Sequence, residues 1–149
     1  MVLSEELDSL ISALEAARLD YALAGGLAVA VWGVPRATKD IDLLVREEAL
    51  DSIRGAARSC GFTLEGGPVR FRDGMELRRL TKVADHDHLT LDLLLVNPDL
   101  EEAWRTRRHL RTERGELWVV DQPALIAMKL RAGRPQDLAD VERLQELDR

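Results

Sequence analysis

Residues Tyr21 to Val45 read YALAGGLAVAVWGVPRATKDIDLLV. The stretch begins with a short apolar run, Tyr21–Ala24, and continues through a Gly-Gly pair into a second apolar segment, Leu27–Trp32, that closes at Gly33. It ends in Asp40–Val45, a run of branched residues that is typical of a strand. The predicted order is therefore strand, glycine turn, short buried helix, strand.

Helices are predicted on both sides of this stretch. Apolar residues recur at three- and four-residue steps in Ser4–Arg18, where Ser4 fits an N-cap, and in Glu47–Cys60, which ends at Gly61. Pro135 suits the first turn of the last helix in the chain. Three further helical patterns follow Asn97-Pro98: Leu100–Arg107, Ala124–Arg131 and Leu138–Leu147.

Between these helices the chain contains short strand-like runs separated by turn residues: Phe62–Glu65, Val69–Arg72, Leu77–Val83, Leu89–Val96 and Leu117–Val120. Glycine, proline and aspartate in the short separators favour hairpins, and hairpins join antiparallel strands. We therefore predict the α+β class, with a mixed, largely antiparallel sheet flanked by helices and two C-terminal helices. A chain of 149 residues suits one domain, residues 1–149.

Composition excludes several classes of protein. Apolar residues make up 46% and charged residues 32%, which argues against disorder, and no apolar run approaches the roughly 20 residues of a membrane span. The net charge of −6 disfavours indiscriminate nucleic-acid binding. An acidic start without a signal-peptide pattern and a lone cysteine, Cys60, indicate a cytoplasmic protein.

Three aspartates interrupt strands that are otherwise apolar. Because side chains alternate along a strand, Asp40 and Asp42 share one face about 6 to 7 Å apart, and the apolar side chains share the other. Asp92 interrupts Leu89–Val96 in the same way, which is costly unless the carboxylate has a partner. A divalent cation removes the repulsion among carboxylates, and oxygen ligands favour magnesium or manganese. The sequence therefore predicts a two-metal site for phosphoryl-type transfer.

Glycines and polar residues precede the aspartates. Gly25 and Gly26 lack β-carbons, which lets backbone N–H groups approach a phosphate at the start of the following helix. Arg36, Thr38 and Lys39 are candidates to contact the same triphosphate. A Gly-Gly pair alone is more often a tight turn, and an Asp-x-Asp pair is more often structural. Their combination with a third aspartate on a later strand favours a nucleotide site.

Ala24-Gly25-Gly26, a thirteen-residue spacer, Asp40-Ile41-Asp42-Leu43 and the later Asp92 form a recognisable combination. It resembles the nucleotidyltransferase superfamily of DNA polymerase β type, in its minimal, single-domain members. The stretch Ala124–Asp140 resembles the closing motif of the AbiEii-type branch, which is known for toxins of toxin–antitoxin systems. The likeness covers nearly the whole chain.

The resemblance implies an enzyme that moves a nucleoside monophosphate from an NTP to an acceptor hydroxyl with magnesium as cofactor. It implies that Asp40 and Asp42 bind both magnesium ions. Asp92 would be the third metal ligand and a base toward the acceptor hydroxyl. A tRNA end, a protein hydroxyl and a small molecule such as an aminoglycoside stay open as acceptors, and a cognate antitoxin is an expected partner.

The resemblance also assigns residues to the triphosphate. Gly25 and Gly26 would hold phosphates, and Lys129 would approach the triphosphate from the first C-terminal helix, with Asp137 and Asp140 completing that corner. Without the resemblance, a salt bridge of Lys129 with Asp137 or Asp140 between the two helices is the alternative. One departure concerns the glycine pair. Many active members have a serine after the first glycine, whereas Gly26 is followed by a leucine here, so a hydroxyl contact to phosphate is missing.

Two polar clusters lie outside this pattern. Asp85-His86-Asp87-His88 offers spaced histidines to a metal, although an exposed hairpin turn is the favoured interpretation. A basic cluster is a candidate contact for a tRNA acceptor, with Trp104 and Trp118 stacking on bases. A solvated helix end, with the tryptophans in the core, is the equally weighted alternative. The basic cluster consists of Arg105, Arg107, Arg108, Arg111 and Arg114 with His109.

Two other functions stay open from the sequence. One is a catalytically silent nucleotidyltransferase-fold subunit, or an antitoxin-like partner, that binds a second protein. The other is a plain α+β domain whose aspartates only cap strands. Metal binding that depends on Asp40 or Asp42 separates the enzyme from the last of these.

Overall fold

The computed structural model describes residues 1–113 and 115–147. Within this part of the chain the helices are α1 (Leu3–Ala16), α2 (Gly25–Val31), α3 (Leu50–Ser59), α4 (Glu101–Arg105), α5 (Gln122–Ala132) and α6 (Pro135–Glu146). The strands are β1 (Ala22–Ala24), β2 (Asp40–Val45), β3 (Leu64–Glu65), β4 (Val69–Arg70), β5 (Glu76–Ala84), β6 (Asp87–Leu95), β7 (Arg108–Thr112) and β8 (Gly115–Val119).

The strands form one sheet in the order β3-β5-β6-β2-β1-β8-β7, with β4 also paired to β5. Pairing is parallel between β2 and β6 and between β1 and β8, and it is antiparallel at the other described interfaces. The predicted class is confirmed, because the sheet is mixed and largely antiparallel and two helices close the described chain.

The two faces of the sheet have different coverings. On one face, Lys82 of β5 forms a 2.7 Å ion pair with Glu6, so α1 lies over that face. The central side chains of this face, such as Ile41 and Leu91, are fully buried, and burying each contributes about 1.5 to 3 kcal/mol. On the other face α2 packs on β1 and β2, and α5 packs on α2. The aspartates of β2 and β6 lie on this second face.

Two local predictions were wrong. Ser4 is not an N-cap, because α1 begins at Leu3, and the backbone N–H of Glu6 already donates to the carbonyl of Val2. Strand β7 was not predicted at all. Its sequence, Arg-His-Leu-Arg-Thr, carries little apolar alternation, and it becomes a strand because all five residues pair with β8. Among the described residues, no helix has the length and apolar character to cross a bilayer.

Candidate active site

The parallel pairing of β2 with β6 brings the aspartates together. Asp42 lies directly opposite Asp92 in the register, and Asp40 lies opposite Thr90. Neighbouring strands are about 4.8 Å apart, and side chains at paired positions point to the same face. Asp40, Asp42 and Asp92 therefore share one face at the same end of the sheet, as the strand alternation predicted.

Asp42 lies at the centre of this group and has a strongly altered acidity. Burial, together with the charges of Asp92 and Asp40, raises the pKa of its carboxyl to about 7, while Lys129 and Arg134 oppose the increase. Burial and the two neighbouring carboxylates disfavour the ionised form of Asp42. A nearby cation would lower the free energy of its ionised form.

The Gly-Gly pair allows the backbone to approach Asp42 and the loop before β2. Gly25 has a φ of +64°, and a β-carbon on it would collide with Oδ2 of Asp42 and lie 2.8 Å from Cγ of the same carboxylate. A β-carbon on Gly26 would lie 3.0 Å from Nη1 of Arg36 and 3.2 Å from Oγ1 of Thr38. Side chains at these two positions would displace the groups that the sequence assigns to metal and phosphate.

A buried ion network connects α5, α6 and the loop before β2. Nζ of Lys129 lies 3.0 Å from Oδ2 of Asp140 and 3.4 Å from Oδ1 of Asp137. Nη1 of Arg36 approaches the same Asp140 oxygen at 2.8 Å as an ion pair outside hydrogen-bond angles. Arg134 donates from Nε to Oδ2 of Asp137 at 2.7 Å. Three cations therefore face two carboxylates in this network, and the charges of two of them, Lys129 and Arg134, also act on the carboxyl of Asp42.

Burial distinguishes the members of this network. Asp137 and Asp140 are each 1% exposed, and Lys129 is 6% exposed. The side chain of Arg134, in contrast, is 71% exposed. Burying charges is costly unless they are paired, so the two aspartates fix the positions of the cations.

Thr38 accepts a 3.3 Å hydrogen bond from the backbone N–H of Asp40, and Lys39 is exposed beside it.

Comparison with known proteins identifies the family of this chain. The family model for the nucleotidyl transferase AbiEii toxin, type IV toxin–antitoxin system, matches residues 9–149. The chain belongs to the AbiEii family. Membership in this nucleotidyltransferase family bears out the resemblance that the motifs indicated. No protein with a curated description matches the sequence at a significant level.

Solved structures with the same fold resemble this AbiEii-family chain over most of its length. Lincosamide antibiotic adenylyltransferase LnuA, bound to lincomycin, has a TM-score of 0.70 at 16% identity, with 97% of each chain covered. TM1012 from Thermotoga maritima has a TM-score of 0.66 at 18% identity, covering 100% of this chain and 97% of its own. ANT(2")-Ia with adenylyl-2"-tobramycin reaches 0.56 at 17% identity, with 93% and 84% covered. At these identities the likeness establishes the nucleotidyltransferase fold.

Arg79 is a functional candidate that the sequence analysis missed. Its Nε and Nη2 donate hydrogen bonds of 2.8 and 2.9 Å to the two carboxylate oxygens of Asp92. The two residues are paired across the antiparallel β5–β6 hairpin. The turn at Asp85 and His86 fixes this register, so counting outward from the turn could have found the pair.

Metal ligands are not preassembled among the described residues. Within residues 1–113 and 115–147, no group of three or more His, Cys, Asp or Glu side chains lies in an arrangement able to hold a metal ion. Both carboxylate oxygens of Asp92 accept hydrogen bonds from Arg79. The hairpin interpretation of Asp85-His86-Asp87-His88 is confirmed, since β5 and β6 pair up to Ala84 and Asp87. Asp87 also binds the N-terminal ammonium at 3.1 Å.

The basic cluster gives no support to a tRNA acceptor. The guanidinium of Arg107 lies 4.1 Å from the ring centroid of Trp104 and 4.9 Å from that of Trp118. His109 stacks on Trp118 with centroids 4.7 Å apart. Protein groups therefore already cover the ring faces that bases would need.

Two of the remaining arginines of the cluster pair with acidic side chains. Arg105 pairs with Glu102 at 2.9 Å, and Arg111 pairs with Glu116 at 3.4 Å. Arg108 is exposed in β7, and Arg114 lies outside the described residues. The predicted solvated helix end is also incomplete, since α4 ends at Arg105 and the chain continues into a strand.

Proposed function

We propose that this AbiEii-family chain is a magnesium-dependent nucleotidyltransferase that moves a nucleoside monophosphate from an NTP to an acceptor hydroxyl. The observation that carries the proposal is the direct pairing of Asp42 with Asp92 on parallel strands, beside the close approach of Gly25 to Asp42. Family membership supports the transferase chemistry. The proposal treats residues 1–149 as one domain that acts in the cytoplasm.

The oxygen donors of the three aspartates suit the chemistry of a divalent cation, although Arg79 pairs with one of them in this structure. Asp42 has its pKa raised to about 7 by burial and by Asp92 and Asp40, which is the environment that a bound cation relieves. Carboxylate oxygens are the ligands that magnesium and manganese prefer. Asp40, Asp42 and Asp92 would hold the metal, and Asp92 would do so after release from Arg79. Bound metal would supply charge neutralisation for the triphosphate and the pyrophosphate.

The phosphate side of the proposed site is cationic. Gly25 and Gly26 leave room for phosphates, with Arg36 and Thr38 next to Gly26. Lys129 and Arg134 are close enough to Asp42 to lower the pKa of its carboxyl. These cations and the exposed Lys39 would bind the triphosphate. Fixed positive charges around a leaving pyrophosphate stabilise the transition state because they need no reorganisation.

Asp137 and Asp140 have a different role in this proposal. Their carboxyl groups are almost completely buried and face cations of the protein. They would act on the nucleotide indirectly, because they hold Lys129, Arg36 and Arg134 in position. When the cations are already held in position, less free energy is spent on ordering their side chains as a substrate binds.

The transfer step can be written with its atoms balanced. The acceptor hydroxyl oxygen bonds to the α-phosphorus of the NTP, and the bond from the α-phosphorus to the bridging oxygen of the β-phosphate breaks. Pyrophosphate leaves, and the hydroxyl proton passes to the carboxylate of Asp92. The chain's own contribution is to align the reactants and to accept this proton.

The test supplies each NTP, labelled at the α-phosphate, with magnesium and one acceptor class at a time. Total tRNA, a bacterial protein extract, tobramycin and lincomycin cover the RNA, protein and small-molecule classes, and the last two follow the structural relatives. We expect label on one class, loss of label in Asp42→Asn, and unchanged label in Asp51→Asn, whose side chain is 94% exposed. Nucleotide binding without any label would instead favour a catalytically silent subunit.

A toxin role is the cellular part of the proposal, and it rests on the family. Expression of the wild-type chain in bacteria should arrest growth, and expression of Asp42→Asn should not. Co-expression of the adjacent gene should relieve the arrest if that gene encodes the cognate antitoxin. Equal growth with wild type and Asp42→Asn would contradict the toxin role.

A further inference from the structure

Arg79 forms hydrogen bonds with the carboxylate of Asp92, which the proposed function assigns to metal. Its Nε and Nη2 donate to Oδ1 and Oδ2 of Asp92 at 2.8 and 2.9 Å, so each carboxylate oxygen has one short charge-assisted hydrogen bond. This two-point pairing opposes metal coordination, because Arg79 and a metal ion would compete for the same two oxygens and the same negative charge of Asp92.

The two partners differ in their freedom to move. Asp92 is 6% exposed and lies in the middle of β6, between two paired strands. The side chain of Arg79 is 55% exposed. Burial fixes the carboxylate, while the long guanidinium side chain can rotate into solvent at little cost in contacts. If the pair opens, the arginine is the partner that leaves.

Arg79 also differs from the other cations of the site. Lys129 is held by Asp137 and Asp140, and Arg134 is held by Asp137. Arg79 pairs with one of the three strand aspartates, and the charges of the other two, Asp40 and Asp42, further raise its pKa. Its charge therefore offsets the repulsion within the aspartate group.

We propose that Arg79 is a positioning residue that pairs with Asp92 when no metal is bound and yields Asp92 to the incoming divalent cation. This inference rests on the proposed function, because it takes Asp92 as a metal ligand. In the metal-free protein, the charge of Arg79 reduces the repulsion among three neighbouring carboxylates and so stabilises the folded state. It also weakens metal binding, since the cation must displace a bidentate partner.

A purely structural salt bridge makes the opposite prediction for metal affinity. If Arg79 only holds Asp92 in place, its removal disorders the ligand, and metal binds more weakly or with unchanged affinity. If Arg79 competes with metal, its removal lowers metal-free stability but strengthens metal binding. The signs of two measurements therefore separate the two roles.

The experiment measures binding of Mn²⁺ alone by electron paramagnetic resonance and melting of the metal-free protein in EDTA. For Arg79→Gln we expect Mn²⁺ to bind about tenfold more tightly and the EDTA melting temperature to fall by roughly 3 to 6 °C. Arg79→Lys, which keeps the charge but loses the two-point pairing, should fall between wild type and Arg79→Gln in Mn²⁺ affinity. Arg105→Gln, in an exposed pair with Glu102, is the charge-matched control and should change neither value.

Unchanged or weaker Mn²⁺ binding in Arg79→Gln would overturn this inference, and so would an absence of Mn²⁺ binding in both wild type and variant. Mn²⁺ binding is measured without nucleotide, and nucleotide transfer is measured in the separate labelling assay, so the two proposals can fail separately. If Asp42→Asn weakens Mn²⁺ binding and Arg79→Gln leaves the Mn²⁺ affinity unchanged, only the proposed competition between Arg79 and metal is rejected. Tighter Mn²⁺ binding in Arg79→Gln without transfer to any acceptor would reject only the enzyme.

Discussion

Gly25 and Asp42 are so close that no side chain fits between them. A β-carbon on Gly25 would collide with Oδ2 of Asp42, and Gly25 has a φ of +64°. Two independent effects therefore exclude other residues from this position, namely the left-handed backbone and the contact with the carboxylate.

Gly25→Ala should lower the free energy of unfolding by about 2 to 4 kcal/mol and should displace Asp42. Urea titration measures the first effect, and loss of nucleotide transfer in the folded fraction measures the second. Gly55→Ala is the matched control, because Gly55 lies in α3 and a β-carbon added there would point into open space. That substitution should stabilise the protein by about 0.5 to 1 kcal/mol. Equal stability of Gly25→Ala and wild type would contradict the close approach.

Asp42→Asn should separate catalysis from folding. Burial and the charges of Asp92 and Asp40 all disfavour the ionised carboxyl of Asp42, so an isosteric amide removes an unfavourable charge. We expect metal-free stability at pH 8 to be equal to or higher than that of wild type, with nucleotide transfer at least about 100-fold slower. A variant that loses transfer only because it unfolds would argue against this electrostatic description.

Lys129→Met should be strongly destabilising. The ammonium of Lys129 lies between Asp137 and Asp140, and removing it leaves buried carboxylates with fewer cationic partners. Breaking a buried ion pair costs about 3 to 5 kcal/mol, measured here by urea titration. Arg143→Met, at an exposed position of α6, should change stability by less than about 0.5 kcal/mol. Similar losses in both variants would mean that the network is not coupled to folding.

Asp137 should make stability depend on acid pH. Burial tends to raise the pKa of its carboxyl, but Arg134 and Lys129 outweigh this effect and hold the pKa below its usual value. Its contribution is therefore complete above the unfolded-state pKa of about 3.9 and is lost as the pH falls through the folded-state pKa.

Asp137→Asn removes this titration. The stability difference between wild type and Asp137→Asn should be largest near pH 7 and should shrink at acid pH, by at most about 1.4 kcal/mol per pH unit. Urea titrations from pH 7 to pH 2.5 give the two curves. A constant difference over this range would mean that the Asp137 pKa is not lowered by folding.

Much of the candidate site was predictable because its signals are local. The alternation of side chains along β2 is enough to put Asp40 and Asp42 on one face and the apolar residues on the other. The glycine pair marks a tight turn, and Gly25 does adopt the positive φ that such a turn requires. Ser4 was misassigned because an N-cap depends on where the first hydrogen bond of a helix forms, which the sequence pattern leaves uncertain by a residue or two.

The sequence by itself determined the α+β class, the strand–glycine–helix–strand order and the shared face of the β2 aspartates, since these follow from backbone geometry and from the spacing of apolar residues. Only the tertiary structure decided that β7 is a strand, that the Arg79 side chain donates to both oxygens of Asp92, and that Lys129 pairs with Asp137 and Asp140 at the same time. These features depend on the register between strands and on the docking of α5 and α6. Each of these contacts joins two different elements, so it forms only when those elements pair or dock, and the residue pattern of a single element does not reveal it.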